Sequence, residues 1–253
     1  MVDLIVFNVS NNRYAMNIAN VQRIVQATRL TPIPNSHPYI DGMMSYEKSV
    51  IKVLNFRKLI SLDTYESDLK ELFITLKRGH KEWVESLRES LQSGIAFTQA
   101  LDPHACGLGK WLDSFTAYDE QVVEILNELT ESHKELHLMG SVALETYEKD
   151  KEEALKIFNK NVLNIFKVTM GSLDTFTQEL DLVSDSLQKF IIYDNNGATF
   201  AIKVDTIEDI AHVEESEFID TNDSDKHDFL ELDSVLDLKG VLINVIKTVK
   251  IPS

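Results

Sequence analysis

The spacing of apolar residues changes twice along this chain, and that change restricts its possible folds more than any other feature. From Leu4 to about Leu59 the pattern is that of strands: LIVFNV alternates, Tyr14, Met16 and Ile18 alternate again, and Ser49–Phe56 (SVIKVLNF) is β-branched and apolar. Asn11-Asn12 offers a turn that tolerates positive φ, and PIPNSHP is a loop by its prolines. Near Ser61 the period lengthens. Leu69, Leu72, Leu76, Trp83, Leu87 and Leu91 recur at helical spacing, as do Val122, Ile125, Leu126, Leu129, Leu136 and Met139. These stripes predict helix over Tyr65–Leu101 and from Ala117 to about Gln188, interrupted strongly only by Asp102-Pro103 and the glycines at 107 and 109. Gly140 and Gly171 lie within the pattern at about 1 kcal/mol each relative to Ala, which allows a local break at either. From Lys189 the strand signature returns. FIIYDNNGATFAIKV reads as a hairpin turning through Asp194, Asn195, Asn196 and Gly197, and Ile207–Val213 and Leu230–Ile251 supply further strands beside a polar loop, TNDSDKHD.

Amphipathic helices this long need partners for their stripes, so the middle reads as an antiparallel bundle. Each β flank has only about 60 residues, which is marginal for a separate core. The expected architecture is therefore α+β: a β domain in two parts, residues 1–64 and 188–253, interrupted by a helical domain at 65–187. Three independent units are the alternative.

Charge follows the same division. Residues 1–65 hold 7 bases and 4 acids, residues 66–187 hold 12 and 23, and residues 188–253 hold 6 and 14. The net charge of −16 argues against nucleic acid and anionic membrane surfaces as partners. No apolar stretch approaches the roughly 18–20 residues of a membrane-spanning helix, and the start has no basic flank like that of a signal peptide. A soluble, cytoplasmic protein is expected. The single cysteine excludes an internal disulfide and must be structural, metal-bound or reactive.

Three segments carry chemistry. In SHKELH, His133 and His137 are four apart on a helix and share a face, so they can share a metal ion, although surface pairs at this spacing also arise by chance. Cys106, in HACGLGKWL, starts a short helix-like piece whose N-terminal amides favour the thiolate; a buried cysteine acting as a small hydrophobe is the other reading. His80, in HKEW, is either a fourth ligand or a solvated surface residue. Three histidines and a thiolate suit zinc, which accepts nitrogen and sulfur together. His37, His104, His212 and His227 lack partners at ligand spacing, though His104 is near enough to Cys106 to approach a metal.

HKEW, CGLGKWL and HKELH together resemble the chemoreceptor zinc-binding (CZB) domain, whose pattern is HxxW, CxxGxW/L and HxxxH in a four-helix bundle. The resemblance covers roughly residues 66–165. It implies zinc held by His80, Cys106, His133 and His137, with Trp83 and Trp111 packed around the site. The flanks are similar to a CheW-like coupling domain, built of two small β-barrel subdomains. LIVFNVSNNRYAMNIANVQRIV, the Pro-rich loop and SVIKVLNFRKLI correspond to its first half, FAIKVDTIEDI to its "GLxVDxVxev" stretch through Val204, Asp205 and Ile207, and LDLKGVLINVIKTVKI to its closing strands. The chain departs from the family where an Arg-Gly becomes Glu47-Lys48, a Pro becomes Lys52 and an Asp becomes Asn55. Glu47 reverses the charge in a region the family uses for receptor and kinase contacts.

Taken together, these resemblances imply a non-enzymatic chemotaxis adaptor. Its partners would be chemoreceptors or a CheA-type histidine kinase, with pairing of two copies through the bundle, and its inserted bundle would sense zinc or an oxidant through Cys106. A purely structural zinc site is the alternative. A metalloenzyme is a third reading, disfavoured because four protein ligands leave no position for water.

Overall fold

The computed structural model describes residues 1–117, 119–220, 228–238 and 240–252; most of the TNDSDKHD loop, with His227, lies outside the described residues. Two compact units emerge, one formed by Met1–Tyr65 with Ser184–Ser253 and the other by Glu66–Val183.

The first unit contains β1 (Val2–Val9), β2 (Asn12–Asn17), β3 (Val21–Gln26), β4 (Ile40–Tyr46), β5 (Ser49–Asn55) and the single-turn α1 (Phe56–Leu59). The helical elements, described below, run through α7 (Leu180–Leu187). After them come β6 (Lys189–Asn195), β7 (Ala198–Val204), β8 (Thr206–Val213), β9 (Phe218–Asp220), β10 (Leu230–Leu238) and β11 (Val241–Val249). The strands form a six-stranded sheet of order β8-β1-β2-β11-β10-β9 and a five-stranded sheet of order β3-β6-β7-β5-β4. Within each sheet one pair is parallel, β11 with β2 and β5 with β7.

Alternation along β1 explains the packing. Phe7 and Val9 join a core that also holds Met16, Leu54, Ile191, Phe200 and Ile246, so residues of both sheets share it. Leu4 and Val6 point into a second cluster with Ala15, Leu236 and Val245, while Val53, Phe190, Ile192 and Ala201 form a third in the other sheet. Both faces of β1 are therefore buried, one in the core shared by the two sheets and one in a core of its own sheet. The hydrogen-bonded orders do not close into rings among the described residues.

Two turns show how local chemistry sets register. The β6–β7 hairpin turns through Asn196 and Gly197, both in the left-handed region (φ 53° and 89°), as the Asn-Gly pair leads one to expect. The β1–β2 turn falls one residue earlier than Asn11-Asn12. Ser10 takes the positive φ (55°), and its N–H is held by the Asp205 carboxylate at 2.7 Å.

In the helical unit, α2 (Tyr65–Ser93), α3 (Gly107–Ser114), α4 (Glu120–Tyr147), α5 (Lys151–Ile157) and α6 (Leu163–Gln178) follow in order. A π-helical turn at Phe158–Val162 joins α5 to α6. Among the described residues the unit thus has three long helical rods and one short helix. α2 ends eight residues before Leu101, because Gly94 adopts φ 76° and its N–H bonds to Ser90 O at 2.9 Å, an αL stop. Gly140 and Gly171 lie in unbroken helix; the interruption comes instead at 148–150, before Asp150 caps α5. Trp83, Val84, Leu87 and Leu91 of α2 pack with Leu136 and Ala143 of α4 and with Ala154, Phe158 and Val162 of the third rod. Trp111 of α3 sits edge-on to Phe73 and Phe176 at 5.2 and 5.8 Å.

An ion pair is buried in the β unit. Arg57 of α1 is 2% exposed and forms a fork with Asp205 at 2.6–3.0 Å; Gln188 also donates to Asp205, and Arg57 reaches Asp63 O. Removing one partner strands the other charge in a dry site. Asp205→Ala is therefore expected to cost about 3–5 kcal/mol of stability, measured by urea unfolding of the β unit's signal in the full chain.

Candidate metal centre

The side chains that meet in the helical unit come from three segments. His80 projects from α2, and His133 and His137 project from the same face of α4 at i and i+4. Cys106 is the N-cap of α3, its Sγ accepting from Gly109 N at 3.3 Å. One donor atom from each of the four lies within 4.8 Å of all the others, and the group could hold a metal ion. Cys106 Sγ is 3.2 Å from His133 Nε2 and 3.9 Å from His80 Nε2. The ligand-to-ligand edges of a tetrahedral zinc site, from bond lengths of about 2.0–2.3 Å, are roughly 3.3–3.8 Å. The spacing suits such a site with only small adjustments.

Two of the three rings are aimed by the backbone. His80 Nδ1 lies 2.9 Å from Leu76 O, one turn back on α2. His137 Nδ1 lies 3.2 Å from Leu101 O, in the loop before Cys106. A carbonyl can only accept, so each Nδ1 carries the proton and each Nε2 presents a lone pair inward, the tautomer a metal requires. His137 Nε2 is buried and has no hydrogen-bond partner among the described residues. A buried acceptor left unpaired costs free energy, and a metal at the centre would satisfy it. The donor set and this orphaned nitrogen both fit zinc.

Electrostatics keeps the rings neutral. Burial is the main reason His133 is lowered to about 3 and His137 to about 4, with the neighbouring His80 adding to both shifts; burial lowers His80 as well. The thiol is less prepared for binding than its helix position led one to expect. Burial pushes Cys106 upward, against the opposing amide of Gly109, so the side chain is a thiol at neutral pH until a cation draws off the proton.

The turn carrying Cys106 is tightly built. A Cβ on Gly109 would lie 1.7 Å from Pro103 O, so only glycine fits at the third residue of α3. Cys106 Sγ also faces Pro103 O at 3.4 Å. His104, close in sequence, turns to the Asp113 carboxylate at 2.9 Å and stays outside the group. The other histidines take separate roles: His212 pairs with Asp3, and His37 packs against the rings of Tyr39 and Phe229. The sequence gives no hint of the contributions of Leu76 and Leu101, because any residue supplies a carbonyl.

The positions where the chain departs from CheW-like patterns are also placed. Glu47 sits at the β4–β5 turn with φ 52° and is exposed, as is Lys48. Asn55 caps α1 by accepting from Lys58 N and also donates to Asp41. Lys52 reaches Pro252 O.

A family model described as the CheW-like domain matches residues 3–128, from β1 through α3 into α4, with β6–β11 lying beyond its span. The chain is 33% identical over 63 residues to the chemotaxis protein CheW of Bacillus subtilis, covering 25% of this chain and 40% of that protein. To the chemotaxis protein CheW of Thermotoga maritima it is 19% identical over 72 residues, covering 28% and 48%. It thus spans half or less of the curated relatives it matches. The crystal structure of the scaffolding protein TtCheW from Thermoanaerobacter tengcongensis aligns at 10% identity and a TM-score of 0.45, covering 97% of this chain and 88% of that one. The chain contains a CheW-like domain, and with it a His₃Cys group that could hold a metal.

Proton counting gives a test of the centre. The histidines are already neutral at pH 7 and the thiol is protonated, so zinc uptake should release close to one proton, from Cys106. Calorimetry in buffers of different ionisation enthalpy reads this number, which should fall to near zero in Cys106→Ala. Release of two or more protons would mean that the histidines bind charge in the metal-free protein.

Proposed function

We propose that this protein is a chemotaxis adaptor: a CheW-like scaffold interrupted at about residues 65–187 by a CZB-type bundle that binds zinc through His80, Cys106, His133 and His137. The convergence of those four donor atoms from three segments carries the reading. Chemotaxis enters through the CheW-like domain and its likeness to the chemotaxis proteins CheW of Thermotoga maritima and Bacillus subtilis. The proposed partners are chemoreceptors and a CheA-type histidine kinase, and two copies pair through the bundle. Coupling of this kind works through surfaces and needs no catalytic group. No helix among the described residues is long and apolar enough to cross a membrane.

Zinc supplies a cross-link between α2, α3 and α4, and its binding stabilises the arrangement in which the four donors converge by mass action. The rods have an apolar core of their own, from Trp83 and Leu87 to Phe158 and Val162, so removing zinc should loosen the site without unfolding the helices. Circular dichroism after chelation checks this, and collapse of the helical signal would reject it.

A second reading follows from exposure. The three histidines are at most 4% exposed, whereas Cys106 is partly open to solvent. An oxidant such as hypochlorous acid would reach the sulfur first. With its proton displaced by a metal, the Cys106 thiolate and HOCl would give sulfenic acid and chloride, two electrons passing from sulfur to chlorine, and the product is no longer a thiolate donor.

Pull-down from the native cell extract, with and without zinc, tests the adaptor reading. Receptors or a CheA-type kinase should be recovered, with yields that change with zinc; loss of both from every sample would overturn it. If oxidant alters recovery equally in wild type and Cys106→Ala, thiol oxidation is not the input.

A further inference from the structure

The loop between α2 and α3, residues 94–106, carries two of the site's parts: the Leu101 carbonyl that fixes His137, and Cys106 itself. It has no regular secondary structure of its own, and its internal bonds lie near its end, where Ala105 N bonds to Asp102 O and His104 N to the Asp102 carboxylate. Something must hold it at the right height. Trp83, one turn after His80 on α2, is 3% exposed, and its indole N–H donates to Ala100 O at 2.7 Å, the residue next to Leu101. The same indole packs edge-on against Phe97 of the loop at 5.5 Å and lies 4.9 Å from the His137 ring. Room for it is made on the facing helix: a Cβ on Gly140 would lie 2.3 Å from Trp83 Cη2.

We infer that Trp83 is a positioning residue for the metal centre, and that Gly140 exists to admit it. Trp83 ties the 94–106 loop to α2 through Ala100 O, which sets Leu101 O against His137 Nδ1. That carbonyl selects the tautomer whose Nε2 lone pair faces the other donors. The inference deepens the proposed zinc site and rests on it for its effect on affinity. Its effect on His137 exists without metal. Trp111, by contrast, stacks its ring on Phe115 and sets it edge-on to Phe73 and Phe176, so it is the internal control.

The experiment uses the full chain with Trp83→Phe, Gly140→Ala and Trp111→Phe. Phe keeps a ring beside His137 but has no N–H for Ala100 O, while Gly140→Ala keeps the indole and displaces it. In the metal-free protein, nitrogen-15 NMR of the imidazoles should show His137 as the Nδ1-protonated tautomer in wild type and Trp111→Phe, and as a mixture in the other two. Zinc affinity, from competition with a chelating dye, should fall about 10- to 100-fold in Trp83→Phe and Gly140→Ala and stay unchanged in Trp111→Phe. A His137 tautomer unaltered in both site variants overturns the inference, even if affinity falls, because the effect is then general packing. If Trp83→Phe loses its helical signal, Gly140→Ala decides by the same two readouts. Failure of wild type to bind zinc removes the proposed metal function, and the tautomer comparison still decides the role of Trp83.

Discussion

Neither end of the chain can build a sheet by itself, and the rest of the structure depends on that constraint. In the six-stranded sheet β1 and β2 are flanked by β8 and β11, and in the five-stranded sheet β6 and β7 lie between β3 and β5. The shared core draws equally on both ends, with Phe7, Met16 and Leu54 against Ile191, Phe200 and Ile246. Arg57 and Asp205 repeat the arrangement in one ion pair, 148 residues apart in sequence. The helical segment must therefore return its two ends to one β unit, and the pairings that stabilise that unit close loops well over a hundred residues long. Such closure is an entropic cost that grows only slowly with length, which is why a folded helical insertion is tolerated there.

The helical unit follows a different logic. Its apolar core joins α2, α4 and the third rod, from Trp83 and Leu87 to Phe158 and Val162. The donor group adds polar atoms to a dry interior, with three histidines buried and one Nε2 unpaired. That arrangement is unfavourable for stability alone. A group retained in spite of its desolvation cost is most simply explained by a ligand that removes the cost, and nitrogen with sulfur defines the class of ligand.

Much of this was legible in the sequence because it depends on side-chain periodicity. Alternation located the strands, the three-and-four spacing located α2 and α4, and the pair 133/137 placed two rings on one face. The illegible parts depend on backbone atoms and on long-range pairing. The αL stop at Gly94 shortened a helix whose apolar pattern continues beyond it. The β1–β2 turn moved to Ser10 because a carboxylate from residue 205 captures its amide, and no local propensity contains that information. Pattern also could not say that the third rod would pass through a π turn at 158–162, or that Gly140 would face an indole rather than break its helix. The thiol is the most informative case. Its helix N-terminus favours the anion, and burial outweighs that effect, so a correct local argument gives the wrong sign for the whole.

That sign bears on how a centre of this kind can respond. A thiolate present before the metal arrives would be a good nucleophile at all times and open to every passing oxidant. A thiol whose proton is held by burial is a poor nucleophile, so in the proposed centre metal binding and thiol reactivity would be one linked equilibrium at Cys106. The three histidines do not share in that linkage near neutral pH, because burial has already removed their protons. In the proposed centre the dependence on pH, metal and oxidant would then be concentrated in its one partly open donor, Cys106, with the buried rings as a fixed frame around that sulfur.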